Sequence, residues 1–346
     1  MKKIIRPILL SFIIVAIYLI ASNFTLIRYG IQQLKGQLTI VSGAIDIDKA
    51  IETGHYSIKE IQKLKLIQDI RQFAIDSLGL SDNQNYKKVY NQNSKPLLWI
   101  VTACLPFELK PYQWTFPYIG DVSYKGFFIK KLAVLEEQKI YSKGYDTDIS
   151  TVSAWSTLGF LHDPILSNML KRSEGHLAEL IIHELTHATI YIASDVDYNE
   201  NLATFIGEEG AKQFILGRYG KKSMEYLSYL KSLEDEKKLG TYMVNSSQQL
   251  DSLYNSFTNE ISVSEKSLIK YEFIGDIMRN IKHLQLNFPK RYTFDPNKNE
   301  LPNNTFFMSY LRYRSDQTQL KNEFEYKSES KISDFIELQK LEHSSD

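Results

Sequence analysis

The chain is almost free of cysteine, since Cys104 is the only one among its 346 residues. A single thiol excludes an intramolecular disulfide and every zinc motif that is built from cysteine pairs. Cys104 ends an apolar run that begins at Leu97, so we expect a small core residue and not a nucleophile. Stability must therefore come from the core, which a chain with 43% hydrophobic residues can supply.

Excess charge of either sign is also missing, because 41 Lys and Arg residues balance 41 Asp and Glu residues. No long basic stretch occurs beyond the N-terminus, so the electrostatic footprint of a nucleic-acid-binding protein is absent. Internal repeats and low-complexity linkers are lacking too. We expect one catalytic domain over residues 28–346, with no obligate protein partner.

Histidine is scarce, with seven residues, yet two of them fall in the motif HELTH at 183–187. Four positions apart on a helix, His183 and His187 project from one face and can share a metal ion. Glu184 can then act as the general base that activates water. A capping Ser173 and the apolar spacing around the motif predict a helix with the motif near its middle. This pattern predicts a zinc site for amide hydrolysis.

A catalytic zinc ion needs a third protein ligand and one open position. The metzincin continuation would require glycine at 190 and histidine at 193, but the chain has Ile190 and Ala193. Residues 198–207 read as the start of a second helix, and an antiparallel return would bring Glu200 to the histidine pair. We predict Glu200 as the third ligand, with less favoured acidic alternatives at Asp195, Asp197, Glu208 and Glu209.

The order of these residues resembles that of the gluzincin metallopeptidases, in which an Asn-Glu-x-x-Ala motif follows HExxH. Here that second motif spans residues 199–203. The resemblance implies that Glu200 completes the Zn²⁺ ligand set. The chain departs from the better-known gluzincins in two respects: only twelve residues separate His187 from Glu200, and the Gly-x-Met-Glu-Asn signature is absent.

Most of the chain resembles a bacterial family of predicted aminopeptidases that are membrane-associated or lipid-anchored. Besides the zinc segment, the similar stretches are YGIQQLKGQL (29–38), IRQFAIDSLGL (70–80), WTFPYIGDVSYKGFF (114–128), SAWSTLGFLHDPILSNML (153–170) and PNNTFFMSYLRY (302–313). The resemblance implies an α+β, predominantly helical fold. Its zincin-like core would combine the HExxH helix with a small sheet and act on peptide substrates.

Residues 7–27 carry no charge and, as a helix, would extend about 30 Å, which matches the hydrocarbon thickness of a bilayer. Lys2, Lys3 and Arg6 precede this run, so the positive-inside rule leaves residues 1–6 in the cytoplasm. We expect a single-pass anchor in the inner membrane, with the catalytic domain extracytoplasmic. The alternative is a cleaved signal peptide, which the length of the run disfavours. The lipobox cysteine common in the similar family is absent.

Gluzincins stabilise the oxyanion with a tyrosine or histidine that follows the ligands in sequence. By this resemblance, Tyr310 and Tyr313 are candidate catalytic donors, and Asn304 is a candidate for binding the substrate backbone. A strand predicted over 147–156 is the candidate edge to which a peptide could add. His176 shares a helix face with His183, but we predict no ligand role for it.

Periodicity also predicts helices over 46–78, 127–139 and 249–284, and a buried strand over 97–104. From Lys327 the chain is charged and lacks a dominant apolar pattern, which predicts a frayed helix or a tail. The function expected is that of a membrane-anchored zinc aminopeptidase. Two alternatives remain: an endopeptidase with the same chemistry, and a non-catalytic metal-binding or structural protein, against which the intact Glu184 argues.

Overall fold

The computed structural model describes residues 18, 22–116, 120–151, 162–192, 195–294 and 300–343. The predicted anchor over residues 7–27 lies mostly outside these ranges. Within them, no helix combines the length and the apolar character needed to cross a membrane.

Helices dominate the described residues, which confirms the predicted α+β, mostly helical class. In chain order the helices are α1 (Phe24–Gly43), α2 (Ile47–Glu52), α3 (Ile58–Asp76), α4 (Lys130–Tyr141), α5 (Glu174–His187), α6 (Val196–Tyr219), α7 (Met224–Asn255), α8 (Val263–Asn280), α9 (Asn304–Arg314), α10 (Gln317–Lys327) and α11 (Ile332–His343). The strands are β1 (Ile45–Asp46), β2 (Lys88–Tyr90), β3 (Trp99–Cys104), β4 (Trp114–Phe116), β5 (Gly120–Val122), β6 (Tyr124–Phe127), β7 (Asp146–Thr151) and β8 (Ile165–Leu166).

The strands form three small sheets, with the orders β1-β2-β8, β6-β3-β7 and β4-β5. In the second sheet β3 is central and pairs antiparallel with both neighbours, so that Trp99 lies opposite Phe127 and Thr151. The strand predicted over 97–104 is therefore confirmed. The strand predicted over 147–156 is β7, an edge strand that ends at Thr151, and residues 152–161 lie outside the described ranges.

Several predicted helical boundaries were wrong, among them the start of the helices predicted over 249–284, since α7 already begins at Met224. Residues 46–78 form two helices, because Gly54 adopts a left-handed φ of +69° and Ser57 starts α3 through a capping box with Glu60. Of the two alternatives predicted for the segment from Lys327, the structure shows a helix, α11; its Phe335 and Ile336 are buried in the main core, which was not predicted. Their burial depends on partners more than a hundred residues away, which the local pattern does not reveal.

The main core lies between α3, α5 and α6 and includes the apolar face of the HExxH helix. Leu177, Ile181 and Leu185 of α5 are completely buried there. This packing determines which face of α5 remains available for chemistry, because the histidines project on the side away from these leucine and isoleucine side chains.

Helices α5 and α6 cross at Gly207 with their backbones in close contact. A Cβ atom added at Gly207 would lie 2.9 Å from the backbone oxygen of Glu179 and 3.2 Å from Cβ of His183. The first distance is shorter than a carbon–oxygen contact allows, so only glycine permits this crossing. The crossing lies beside His183 and thus sets the separation between the two helices that carry the predicted ligands.

We expect Gly207→Ala to lower the free energy of unfolding by about 1–3 kcal/mol, because the added methyl group meets rigid backbone. Gly217→Ala is the matched control: it lies in the same helix with nothing within 4 Å of the added Cβ. It should be neutral or stabilising by up to about 1 kcal/mol, since alanine favours helix. Urea unfolding of both variants measures the difference, and equal effects would contradict the close crossing.

Candidate metal centre

The HELTH motif forms the C-terminal end of α5, whereas the sequence predicted it near the middle of the helix. Ser173 caps the helix and accepts a hydrogen bond from the backbone N–H of His176, as expected, but the helix ends at His187. Just beyond, the Thr189 hydroxyl donates to the carbonyl of Leu185 over 2.7 Å and accepts from the backbone of Ser81. The end of the helix is thereby tied to the loop after α3.

The link between α5 and α6 is fixed by Asn199, the residue before Glu200. Its side-chain oxygen accepts from the N–H of Ile192 at 2.9 Å, and its amide donates to the Ile192 carbonyl at 2.7 Å. Asp195 caps α6 by accepting from the N–H of Tyr198. These contacts turn the first turn of α6 back toward the end of α5, which carries Glu200 to the histidine pair.

Three potential ligand atoms converge at this place. Nε2 of His183 and Nε2 of His187 are 3.1 Å apart, and Oε2 of Glu200 lies 3.4 Å and 3.6 Å from them, respectively. Ligands bound to zinc at about 2.0–2.1 Å in a tetrahedron are separated by about 3.3–3.4 Å. The observed spacing therefore fits one tetrahedral ion held by these three side chains.

The charges of the cluster also suit a cation. Burial opposes ionisation of Glu200, but hydrogen bonds with both imidazoles outweigh it and hold the pKa of this carboxyl well below its usual range. Burial acts against the charged form of His187, yet Glu200 raises its pKa above the usual value. The lone pairs of two imidazole nitrogens 3.1 Å apart repel each other unless a proton or a cation lies between them. Two imidazoles with one carboxylate form a donor set typical of zinc.

Glu184 lies beside this cluster and is buried. Burial raises the pKa of its carboxyl, and the neighbouring His183 and His187 only partly offset this increase. Tyr86 is also buried near Glu184. Burial raises the pKa of its hydroxyl, and the nearby charges of Glu184 and Asp163 raise it further. Of the two carboxyl groups Glu184 and Glu200, Glu184 is thus the one that more readily keeps a proton.

The alternative third ligands have other partners. Asp197 lies 3.6 Å from Nε of Arg312, Glu208 forms an ion pair with Arg314, and Glu209 pairs with Lys212. Asp195 is occupied as the cap of α6. Among the described residues, the one group of ligand atoms that includes the motif histidines contains Glu200.

Two tyrosines lie in the electric field of this cluster. Desolvation and then the charge of Glu200 raise the pKa of Tyr313 on α9, and the same two causes raise that of Tyr124 at the start of β6. Arg312 connects their elements: its Nη2 donates to the hydroxyl of Ser123 over 2.7 Å, and its guanidinium lies 5.9 Å from the Tyr124 ring centre. Tyr313 thus lies within electrostatic range of Glu200 and Glu184, and its catalytic role stays a prediction.

Sequence reasoning missed Tyr124 and Arg312. The segment containing Tyr124 was recognised only as one of the similar stretches, and about sixty residues separate it from the HELTH motif. In the described residues β6 and β7 are the two edges of this sheet, and Tyr124 of β6 lies within electrostatic range of Glu200. Residues 152–156 of the predicted substrate edge lie outside the described ranges, so that edge stays a prediction.

Tyr310 is not brought to the metal cluster. Its ring packs against Phe306, with centroids 5.2 Å apart, in the apolar cluster between α7, α8 and α9. Burial raises its pKa, and the nearby charges are those of Arg314 and Glu236 and not those of Glu200 and Glu184. Its predicted catalytic role therefore lacks the required geometry.

Asn304 is likewise placed away from substrate. It is fully buried; its side-chain amide donates to the carbonyl of Leu105 at 2.8 Å, and its side-chain oxygen accepts from the Tyr254 hydroxyl at 2.7 Å. Its backbone N–H donates to Asp146 at 3.0 Å. The predicted substrate-binding residue instead joins α9 to the end of β3 and to α7, so this prediction was wrong.

Asn201 positions α9 relative to the ligands. Fully buried next to Glu200, it donates to the carbonyl of Arg312 at 2.7 Å and accepts from the N–H of Asp316 at 3.1 Å. The residues on either side of Glu200 therefore have distinct tasks. Asn199 holds the preceding loop, and Asn201 holds the helix that carries Tyr313.

A second polar network continues along the same face of α5. Glu179 accepts from the Tyr229 hydroxyl at 3.0 Å, and burial together with Glu208 and Glu236 raises its pKa to about 7. His176 contacts Glu236 through Nε2 at 3.0 Å. Glu208 is paired with Arg314 at this network.

The fold and the cluster define the class of this protein: a mostly helical α+β protein with a candidate metal centre on an HExxH helix. A family model described as "Putative aminopeptidase" matches residues 28–346, and the chain belongs to that family. No curated protein and no solved structure shows a significant match to it.

We expect Asn304→Ala to lower the free energy of unfolding by about 2–4 kcal/mol, because buried groups of Leu105 and Tyr254 lose their partner. Tyr254→Phe removes one of these hydrogen bonds and should cost only about 1 kcal/mol. Both are measured by denaturant unfolding. An Asn304→Ala protein of unchanged stability but with weakened peptide binding would restore the substrate-binding role.

Proposed function

We propose that this protein is a zinc-dependent, gluzincin-like peptidase that removes residues from the free N-terminus of peptides. The observation that carries the proposal is the spacing of His183, His187 and Glu200, with ligand atoms 3.1–3.6 Å apart and Glu184 beside them. Membership of a family described as aminopeptidases supports peptide hydrolysis as the chemistry.

His183, His187 and Glu200 would hold the zinc ion. When bound, zinc would supply a Lewis acid that polarises the scissile carbonyl and makes water more acidic. The Glu184 carboxylate accepts the proton of the attacking water and later delivers it to the leaving amine. Its raised pKa suits it to keep that proton between the two steps. The Tyr313 hydroxyl donates a hydrogen bond to the developing oxyanion, and Tyr124 lies in the electric field of the same two carboxyl groups, Glu200 and Glu184.

The network around Glu179 supports the aminopeptidase mode. Glu179 precedes His183 by one helical turn, about 6 Å along the axis, and both lie on the same face of α5. The network contains three carboxyl groups, those of Glu179, Glu208 and Glu236, but only two basic groups, Arg314 and His176. It therefore favours an additional positive charge. The α-ammonium group of a peptide would provide it.

The endopeptidase alternative uses the same zinc chemistry without recognising the amine. Single-residue reporter amides and internally quenched peptides with blocked N-termini distinguish the two modes. For the non-catalytic alternative, a purely structural metal site would have no use for a carboxyl with a raised pKa at Glu184.

We also propose that residues 7–27 anchor the protein in the inner membrane and that the catalytic domain is extracytoplasmic. The support is the uncharged run with its basic N-terminal flank. Protease protection of the full-length chain in sealed vesicles of known orientation tests this topology. A protease digests an extracytoplasmic domain only when it is added on the extracytoplasmic side of the inner membrane.

We expect Glu184→Gln to retain one zinc ion per chain while turnover of aminoacyl reporter amides falls by roughly 10²–10⁴-fold, since the proton acceptor is lost. Glu200→Ala should instead weaken zinc binding, because the site loses one of three ligands. Glu209→Gln, on the surface of α6, is the matched control and should change neither property. Elemental analysis and initial rates measure both. Unchanged zinc in Glu200→Ala would refute the ligand set, and full activity of Glu184→Gln would refute the mechanism.

Tyr313→Phe should reduce kcat by roughly 10²-fold or more with zinc content intact, because one oxyanion donor is removed. Tyr310→Phe makes the same chemical change three residues earlier on α9, away from the metal cluster, and should leave kcat within about twofold of the unaltered enzyme. Steady-state kinetics of the pair provide the test. Equal losses in both variants would contradict the assignment of Tyr313.

A further inference from the structure

Helix α1 packs on the domain with only one of its faces. The Tyr29 hydroxyl and the Gln33 side-chain amide both donate to the carbonyl of Gly126 over 3.0 Å, and Gly36 lies directly against the Phe128 ring. Gln37 and Ile40 are buried on the same face. The helix is therefore firmly attached to the strand β6 and to the residue that follows it.

The opposite face of α1 is an apolar stripe, which consists of Phe24, Ile27, Ile31, Leu34 and Leu38. These residues are spaced 3, 4, 3 and 4 positions apart and cover an arc of about 80° of the helix. Each is between 39% and 61% exposed. Five large apolar side chains in one line on a surface mark a binding face.

The charges on α1 are of one sign. Its sequence contains Arg28 and Lys35 and no Asp or Glu. Both basic residues are exposed and lie next to the apolar stripe, so their charged ends can extend to one side of whatever the stripe contacts. A partner that is apolar in its interior and negatively charged at its surface satisfies both features. An anionic lipid bilayer has this chemistry.

A second copy of α1 is the competing partner, because the 3-4 spacing also occurs in coiled coils. In a parallel pair, however, Arg28 and Lys35 would lie opposite Asn23 and Gly30, and no acidic residue is available to attract them. The proposed membrane anchor is also adjacent in the chain, because the first four residues of α1 belong to the uncharged run over 7–27. Asn23, just before α1, has φ −109° and ψ 15°, outside the helical range.

We propose that the apolar stripe of α1 lies in the surface of an anionic membrane, with α1 parallel to the bilayer and Arg28 and Lys35 at the lipid phosphates. This goes beyond a spanning anchor, because it fixes the orientation of the whole domain. The strand held by α1 is the one that begins with Tyr124 near the metal ligands. The candidate metal centre is consequently held close to the lipid surface.

The test uses the full-length protein in vesicles of phosphatidylcholine and phosphatidylglycerol in a three-to-one ratio. Nitroxide labels are attached to Ile31→Cys and Leu38→Cys on the stripe, and to the adjacent Gln32→Cys and Thr39→Cys as matched controls. Cys104 is buried, and the unaltered protein serves as the labelling blank. Collision rates with oxygen, which concentrates in lipid, and with a water-soluble nickel complex are then compared.

We expect positions 31 and 38 to collide several-fold more with oxygen and less with nickel than positions 32 and 39, with the contrast at 38 reduced in pure phosphatidylcholine. Equal nickel access at all four positions would overturn the proposal. Dipolar broadening between labels at position 31 would also overturn it in favour of a second copy. Shielding from both reagents without broadening would mean that protein covers the stripe and would overturn it too. None of these outcomes depends on zinc or on peptidase activity.

Discussion

The close crossing of α5 and α6 is the contact on which the candidate metal centre depends. Two ligands lie at the end of one helix and the third lies in the first turn of the next. Their atoms can approach within 3.6 Å only if the helices pack with their backbones in contact. Gly207 permits that contact beside His183, and Asn199 closes the connection at the other end with two hydrogen bonds to Ile192. Main-chain geometry thus brings these three side chains together.

At this site the pKa values of two neighbouring carboxyl groups are shifted in opposite directions. The imidazoles hold Glu200 ionised, as a ligand must be, while burial raises the pKa of Glu184, as a proton carrier requires. Both are on helices with little freedom to move. The difference in environment, and not in residue type, separates the proposed ligand from the proposed base.

The helix α9 and the sheet complete the site from the far side. Asn201 ties α9 to the start of α6, Asn304 ties it to the end of β3, and Arg312 reaches Ser123 next to β6. Because β6 is also the strand that holds α1, the apolar stripe and the metal centre are connected through one short strand. A membrane contact on one side would therefore set the position of the candidate metal centre on the other.

The sequence was sufficient for features whose cause is local. The spacing of His183 and His187 on a helix follows from 3.6 residues per turn, and the short connection to a second helix limits where Glu200 can lie. Features that depend on contacts between distant segments were decided by the fold. The order of the strands places Tyr124 in the electric field of Glu200. Asn304 is buried where α9, α7 and the end of β3 meet. Tyr310 packs in the apolar cluster, whereas Tyr313, one turn later on α9, lies in the electric field of the candidate metal centre. Such outcomes arise from packing between surfaces, and no single segment contains the information about both surfaces.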